Sequence, residues 1–194
     1  ADDGLSFGAL QFLLNKNHLT VQVQYYQTDE SPQTSVSVET IQKTAKYLKQ
    51  GNIVAWYQGN GEVGPRALGN RSILMDPTII DGKNIINSKV KHREDYRPFG
   101  ASILKEHQQD YFDIEYDNPH MLYIGKFKHT MPPISHIDHT CRFQSVSVDN
   151  KDFYKLIKEF HKQTNIPMLL NTSLNINGKP IAGSKRDALE ILYG

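Results

Sequence analysis

Five short apolar runs constrain the fold of this chain more than any other feature: "NIVAWYQ" (52–58), "SILK" (102–105), "MLYIGKF" (121–127), "RFQSVSV" (142–148) and "IPMLLNTS" (166–173), the last strand-like up to the polar break at Asn171. Each is short, bounded by polar or turn-forming residues, and reads as a strand. Between them the apolar period lengthens. Ile41, Ala45 and Leu48 recur at helical spacing and Gly51 follows as a stop, which predicts a helix over Val38 to Gln50. A second helix is expected from Asp81 to Val90, and a third over "KDFYKLIKEFHKQ" with Asp149 or Asn150 as its cap. Lys151, Lys155, Lys158 and Lys162 form the solvated face of that third helix. The tail "SKRDALEILYG" carries a capping box, Ser184 followed three residues later by Asp187. Strands and helices alternate irregularly, so the expected class is α/β in the broad, α+β sense: a sheet of parallel and antiparallel strands with helices packed on it.

Ahead of these elements, Leu5 to Leu14 reads as a short buried helix leading into the alternating "TVQVQYY". The polar stretch Gln27 to Ser35 is the natural linker. The chain has 194 residues, enough for one domain of ordinary size or one domain with part of another. It opens Ala-Asp-Asp-Gly, without an initiator Met or the layout of a signal peptide, which points to a piece of a longer protein. Its 22 Lys+Arg against 21 Asp+Glu leave +1 overall, which argues against long-range capture by nucleic acid or an anionic membrane. Any anion must be bound locally. A single cysteine, Cys141, excludes an internal disulfide framework and suits a reducing, cytoplasmic compartment. No apolar stretch is long enough to span a bilayer.

Local anion binding is what the arginines suggest. Four of the six, Arg66, Arg71, Arg93 and Arg97, fall within one third of the chain, the first two in "GPRALGNRSIL" (64–74). Arginine suits two-point recognition of phosphate or carboxylate. Glycines at 59, 61, 64 and 69 would let backbone N–H groups approach an anion closely. The plainer alternative is a turn whose arginines pair with Glu62, Asp76 or Glu94. A second candidate is "LLNTSLN", which sets Asn171, Thr172, Ser173 and Asn175 directly after a strand, where α/β proteins place ligand contacts. An Asx-rich turn is the alternative there. Within "SHIDHTCRFQSV", His136, Asp138 and His139 raise a zinc reading that lacks a fourth ligand, while Arg142 points to an anion instead.

Taken in order, "GPRALGNRSIL", "KVKHREDYRPFGASIL", "SHIDHTCRFQSV" and "LLNTSLNINGKPIAGSKRDAL" resemble the C-terminal domain of the nodulation-protein and antibiotic-tailoring O-carbamoyltransferases. The resemblance implies a YrdC-like domain over residues 38–194, akin to threonylcarbamoyladenylate synthases, after a linker (27–37) and the tail of an actin- and sugar-kinase-like domain (1–26). It further implies that the domain binds ATP and carbamoyl phosphate and joins carbamate to AMP with loss of pyrophosphate, magnesium being expected with ATP. The N-terminal domain of such enzymes then passes the carbamoyl group to a hydroxyl-bearing acceptor, using iron or another metal. A homodimer is compatible with the pattern.

By motif position, the resemblance places Arg66 and Arg71 on the carbamoyl phosphate side and Arg97 close to both substrates. Lys91 and Arg93 match a Lys-x-Arg pair that lies along nucleotide phosphates, and Ser173 and Asn175 match a Ser-x-Asn nucleotide contact, flanked by Asn171 and Thr172. Arg142 is expected on the opposite wall. Asp2 aligns with a metal-ligating aspartate whose histidine partners would lie upstream of residue 1. The chain departs from the family at His139 and Cys141, where small residues are usual. A competing reading makes the domain a non-catalytic RNA- or nucleotide-binding module, which would normally show a basic excess with aromatics among the lysines.

Overall fold

In the computed structural model, which describes residues 35–193 together with Lys16, six strands form one sheet in the order β1-β2-β6-β3-β5-β4. They are β1 (Val54–Tyr57), β2 (Arg71–Met75), β3 (Gly100–Leu104), β4 (Ile124–Lys126), β5 (Thr140–Val146) and β6 (Met168–Ser173). Neighbours run antiparallel except β3 and β5, which are parallel. The mixed sheet expected from the irregular alternation is therefore present. The expected linker and the residues before it, Asp2 included, fall almost wholly outside the described residues.

One face of the sheet carries two helices side by side. Helix α1 (Val38–Lys49) begins at Ser37, whose hydroxyl accepts the Thr40 N–H, and buries Ile41, Ala45 and Leu48. Its neighbour on that face, α4 (Lys151–Thr164), buries Phe153, Leu156, Ile157 and Phe160 while its four lysines stay exposed. These residues and the sheet's Leu74, Leu104, Val146 and Leu169 form a single apolar cluster. Asp152 on α4 accepts the Val36 N–H just ahead of α1 at 2.7 Å, which ties the two helices together, and pairs within its own helix with Lys155 at 2.8 Å. The opposite face packs on a second cluster that includes Ile86, Phe112, Phe127, Ile134 and Phe143. Near β2, helix α5 (Lys185–Tyr193) lays Ala188 and Ile191 against Ile73 and Leu174. Its capping box is closed in both directions: Ser184 Oγ accepts the Asp187 N–H, and Asp187 accepts the Ser184 N–H.

Four sequence expectations shift. The run "RSILM", which the arginine-loop reading left in a loop, is β2, second in the sheet and buried at all five positions. Its leading arginine hid it. The helix expected over 81–90 is α2 (Gly82–Ile86) followed by a wider π-turn, Asn87–Lys91, which ends where His92 turns left-handed (φ 47°). "MLYIGKF" shrinks to three ladder residues because the Asn118 side chain accepts the Leu122 and Tyr123 N–H groups before they can join the sheet. Finally, Asn150 holds the N-cap position of α4 but its side chain makes no capping hydrogen bond; a short turn over Val148–Asn150 leads into the helix, with Ser147 Oγ accepting the Asp149 N–H. Among the described residues no helix is long and apolar enough to cross a membrane.

Candidate functional site

The loop between β1 and β2 is built around an anion, and the anion is its own. Glu62 Oε1 accepts the backbone N–H groups of Leu68 (2.8 Å), Asn70 (2.8 Å) and Arg71 (3.0 Å). The glycine-rich cradle foreseen for a ligand thus closes first on an internal carboxylate, which holds the loop in shape. Gly64 and Gly69 take left-handed backbone angles, φ 101° and 104°. Gly69 also presses against α4, where an added Cβ would sit 2.2 Å from Phe153 Cδ1. Gly69→Ala is therefore expected to push the loop off α4 and to destabilise the fold by about 2 kcal/mol or more, from backbone strain plus overpacking. Urea unfolding of wild type and variant measures the difference.

Arg71 anchors the loop's far end. Its guanidinium is fully buried, lies 3.6 Å above the Tyr57 ring, and donates to the carbonyls of Gln58 (2.6 Å), Asn70 (3.0 Å) and Gly59 (3.2 Å). Burial pulls its pKa down, opposed by Tyr57 and Glu62.

Across the sheet, a directional chain of buried amides supports the same loop. Gln144 on β5 donates to the Leu68 carbonyl (3.0 Å) and accepts from Ser102 Oγ on β3 (2.8 Å). Ser102 Oγ in turn accepts from Asn171 Nδ2 on β6 (2.8 Å), which also donates to the Ala67 carbonyl (3.0 Å). Three neighbouring strands therefore hold Ala67 and Leu68 in place, with Arg66 immediately before them.

The result is a cavity of about 350 Å³ that four guanidinium-bearing residues line: Arg66, Arg93, Arg97 and Arg142. Asn171, Thr172 and Ser173 contribute one wall, and Pro98, Phe99 and Gly100 another. Arg93 lies 4.6 Å over the Phe99 ring and donates to the Pro98 carbonyl; burial and then the neighbouring Arg97 lower its pKa, against the pull of Glu94. Arg97 makes only a half-exposed ion pair with Glu94, at 3.5 Å. The Arg142 guanidinium has no hydrogen-bond or ion-pair partner among the described residues. A second, more apolar chamber of about 430 Å³ shares Pro65, Arg66, Met121 and Arg142 with the first and adds Val63, Leu68, Leu122 and Ile124.

Of the residues singled out from sequence, Arg66, Arg93, Arg97, Arg142, Asn171, Thr172 and Ser173 line the cavity, whereas Arg71, Lys91 and Asn175 do not. Lys91 is buried, and its ammonium donates to the Ser173 carbonyl and to Ser173 Oγ (3.2 Å), the Asn175 carbonyl (3.1 Å) and Asn175 Oδ1 (2.8 Å). Burial, then the nearby Arg93, pull it down to about 7, while those four oxygens favour the charged form. Lys91 thus staples the turn after β6 from the protein side. Met121 was not legible as a site residue. It reaches the cavity on a segment held by Asn118, which donates to the carbonyls of Phe143 (2.7 Å) and Tyr123 (3.0 Å).

The histidine motif is a turn. Asp138 Oδ1 accepts both the N–H (3.1 Å) and the hydroxyl (2.6 Å) of Thr140, whose oxygen lies 2.9 Å from His136 Nδ1. Thr140's one proton goes to Asp138, so His136 carries its own proton on Nδ1. Among the described residues no group of three His, Cys, Asp or Glu could hold a metal ion. His139 sits at φ 60°, in the left-handed region, and burial pushes the Cys141 thiol up to about 12, leaving it inert.

This six-stranded mixed sheet, with its cation-lined cavity beside the end of β6, defines an α/β domain of the YrdC-like class. A similar solved structure is that of P. abyssi Sua5 complexed with L-threonine (TM-score 0.63, 17% identity, 83% of this chain and 46% of that one). Full-length HypF in the phosphate- and nucleotide-bound form is also similar (TM-score 0.55, 20% identity, 82% of this chain and 20% of that one). At these identities the likeness concerns the fold. The family model described as carbamoyltransferase C-terminus matches residues 45–194, and the chain belongs to that family. Relatives include nodulation protein NolNO of Sinorhizobium fredii, 39% identical over 155 residues (76% of this chain, 23% of the relative). Another is the 3'-hydroxymethylcephem-O-carbamoyltransferase of Streptomyces clavuligerus, 37% identical over 134 residues (68% of this chain, 26% of the relative). The chain spans about a quarter of the length of the curated relatives it matches.

Proposed function

We propose that this domain forms carbamoyladenylate from carbamoyl phosphate and ATP, for transfer to a hydroxyl-bearing acceptor by another part of a longer carbamoyltransferase. The observation that carries this reading is the convergence of Arg66, Arg93, Arg97 and Arg142 on one cavity. Arg66 comes from the β1–β2 loop, Arg93 and Arg97 from the one segment leading into β3, and Arg142 from β5, so their meeting concentrates positive charge that a chain of net charge +1 does not otherwise offer. Two phosphorylated reactants need such a cage, because each charge-assisted hydrogen bond contributes about 1.5–3 kcal/mol.

In the reaction, water cleaves carbamoyl phosphate to phosphate and carbamate. A carbamate oxygen then attacks the α-phosphorus of ATP, and pyrophosphate leaves with the electrons of the broken P–O bond. Charge develops on the phosphoryl oxygens at both stages, where fixed guanidinium groups stabilise it without reorganising. Arg66 and Arg97 take the transferring groups, Arg93 and Arg142 the phosphate chain, and the second chamber, with its apolar lining, accommodates the nucleoside. Arg71 and Lys91 act one step back, holding the loop and the Ser173–Asn175 turn. Magnesium enters with ATP, since the described residues offer no carboxylate cluster for it. The HypF structure is of a phosphate- and nucleotide-bound form, and the Streptomyces relative is named for a hydroxymethyl acceptor, both in keeping with this assignment.

The test is exchange of labelled pyrophosphate into ATP. Exchange by the chain that requires carbamoyl phosphate is the expected result. Exchange that ignores carbamoyl phosphate, or none under conditions where a full-length relative exchanges, overturns the proposal.

A further inference from the structure

Most of the charged wall of the cavity donates hydrogen bonds, yet one buried side chain on it offers the opposite chemistry. Asn171 is 2% exposed and lines the cavity. Its Nδ2 donates to the Ala67 carbonyl and to Ser102 Oγ. A carbonyl can only accept, so the amide has one orientation; turned over, it would set Oδ1 against the Ala67 oxygen. Ser102 agrees with this direction, because its own proton goes to Gln144 Oε1. Oδ1 is left shielded from solvent with no partner among the described residues. A buried acceptor without a donor is costly, which makes a ligand N–H its natural complement.

Of the two proposed substrates, carbamoyl phosphate brings an amine on the reacting acyl group itself. Guanidinium groups grip its phosphate but do not distinguish that amine from a methyl group of similar size. Building on the proposed function, we infer that Asn171 Oδ1 accepts an N–H of the carbamoyl amine and selects carbamoyl phosphate over acyl phosphates that lack one. An N–H meets the orphaned oxygen, whereas a methyl group leaves it unpaired.

The experiment compares carbamoyl phosphate with acetyl phosphate by titration calorimetry on the full chain. Wild type is expected to bind carbamoyl phosphate about tenfold more tightly or better, the scale of one hydrogen bond to a buried acceptor. In Asn171→Ala that ratio is expected to fall to about one. A merely structural role would weaken both ligands together and preserve the ratio, which overturns the inference. Equal binding of the two by wild type overturns it as well and needs no variant, so the test survives if Asn171→Ala does not fold. Binding of neither ligand by wild type overturns the proposed function and this inference with it.

Discussion

Arg66→Ala is expected to lower carbamoyl-phosphate-dependent exchange of pyrophosphate into ATP by about 10²-fold or more, the effect of removing one fixed donor from a site where charge develops. The melting temperature should stay within a degree or two, because Arg66 is exposed and the loop around it is held by other groups. Glu62, Gln144 and Asn171 all remain to carry Ala67 and Leu68. Full exchange activity in this variant would remove Arg66 from the reacting centre. A large drop in melting temperature would show instead that it builds the loop.

Five residues on, Arg71→Ala is expected to do the reverse. It deletes a fully buried side chain, its cover over Tyr57, and three hydrogen bonds to the carbonyls of Gln58, Gly59 and Asn70. Leaving those carbonyls without their donor and opening a cavity costs about 3 kcal/mol, or a fall in Tm of roughly 6–12 °C for a domain of this size. Any loss of activity should follow the loss of fold and recover in part when the protein is assayed well below its melting point. Arg71→Lys should restore little, since an ammonium lacks the planar fork and the stacking surface. An Arg71→Ala protein that melts like wild type but has lost exchange would place Arg71 back among the substrate contacts.

The contrast between these two arginines shows how far local pattern reaches. In "GPRALGNRSIL" both look alike, each a lone cation beside turn-forming residues. Strand pairing separates them. Arg71 is the first residue of β2, opposite Tyr57 in the ladder, so its side chain stacks on that ring, while Arg66 stays in the loop beside the cavity. Glu62, named from the sequence only as a partner for the arginines, hid its role as the loop's N–H acceptor for a related reason. Its partners are backbone N–H groups six, eight and nine residues further on, and no side-chain pattern records where a backbone donor will point. Asn118 and Met121 carried no signal at all, because what matters about them is which strand they happen to fold against.

What the amino-acid order determined by itself was local and periodic: the helical faces of α1 and α4, the capping box of α5 and most of the strands. These follow from spacings of two to four residues, which the geometry of strands and helices enforces anywhere in a chain. Which arginine faces the cavity and which is buried, which carboxylate fills the glycine cradle, and which amide oxygen is left unpaired were decided only by tertiary structure. Each depends on groups brought together across the sheet from distant positions, and the energies that sort them arise from desolvation and contact, which exist only once those groups have met.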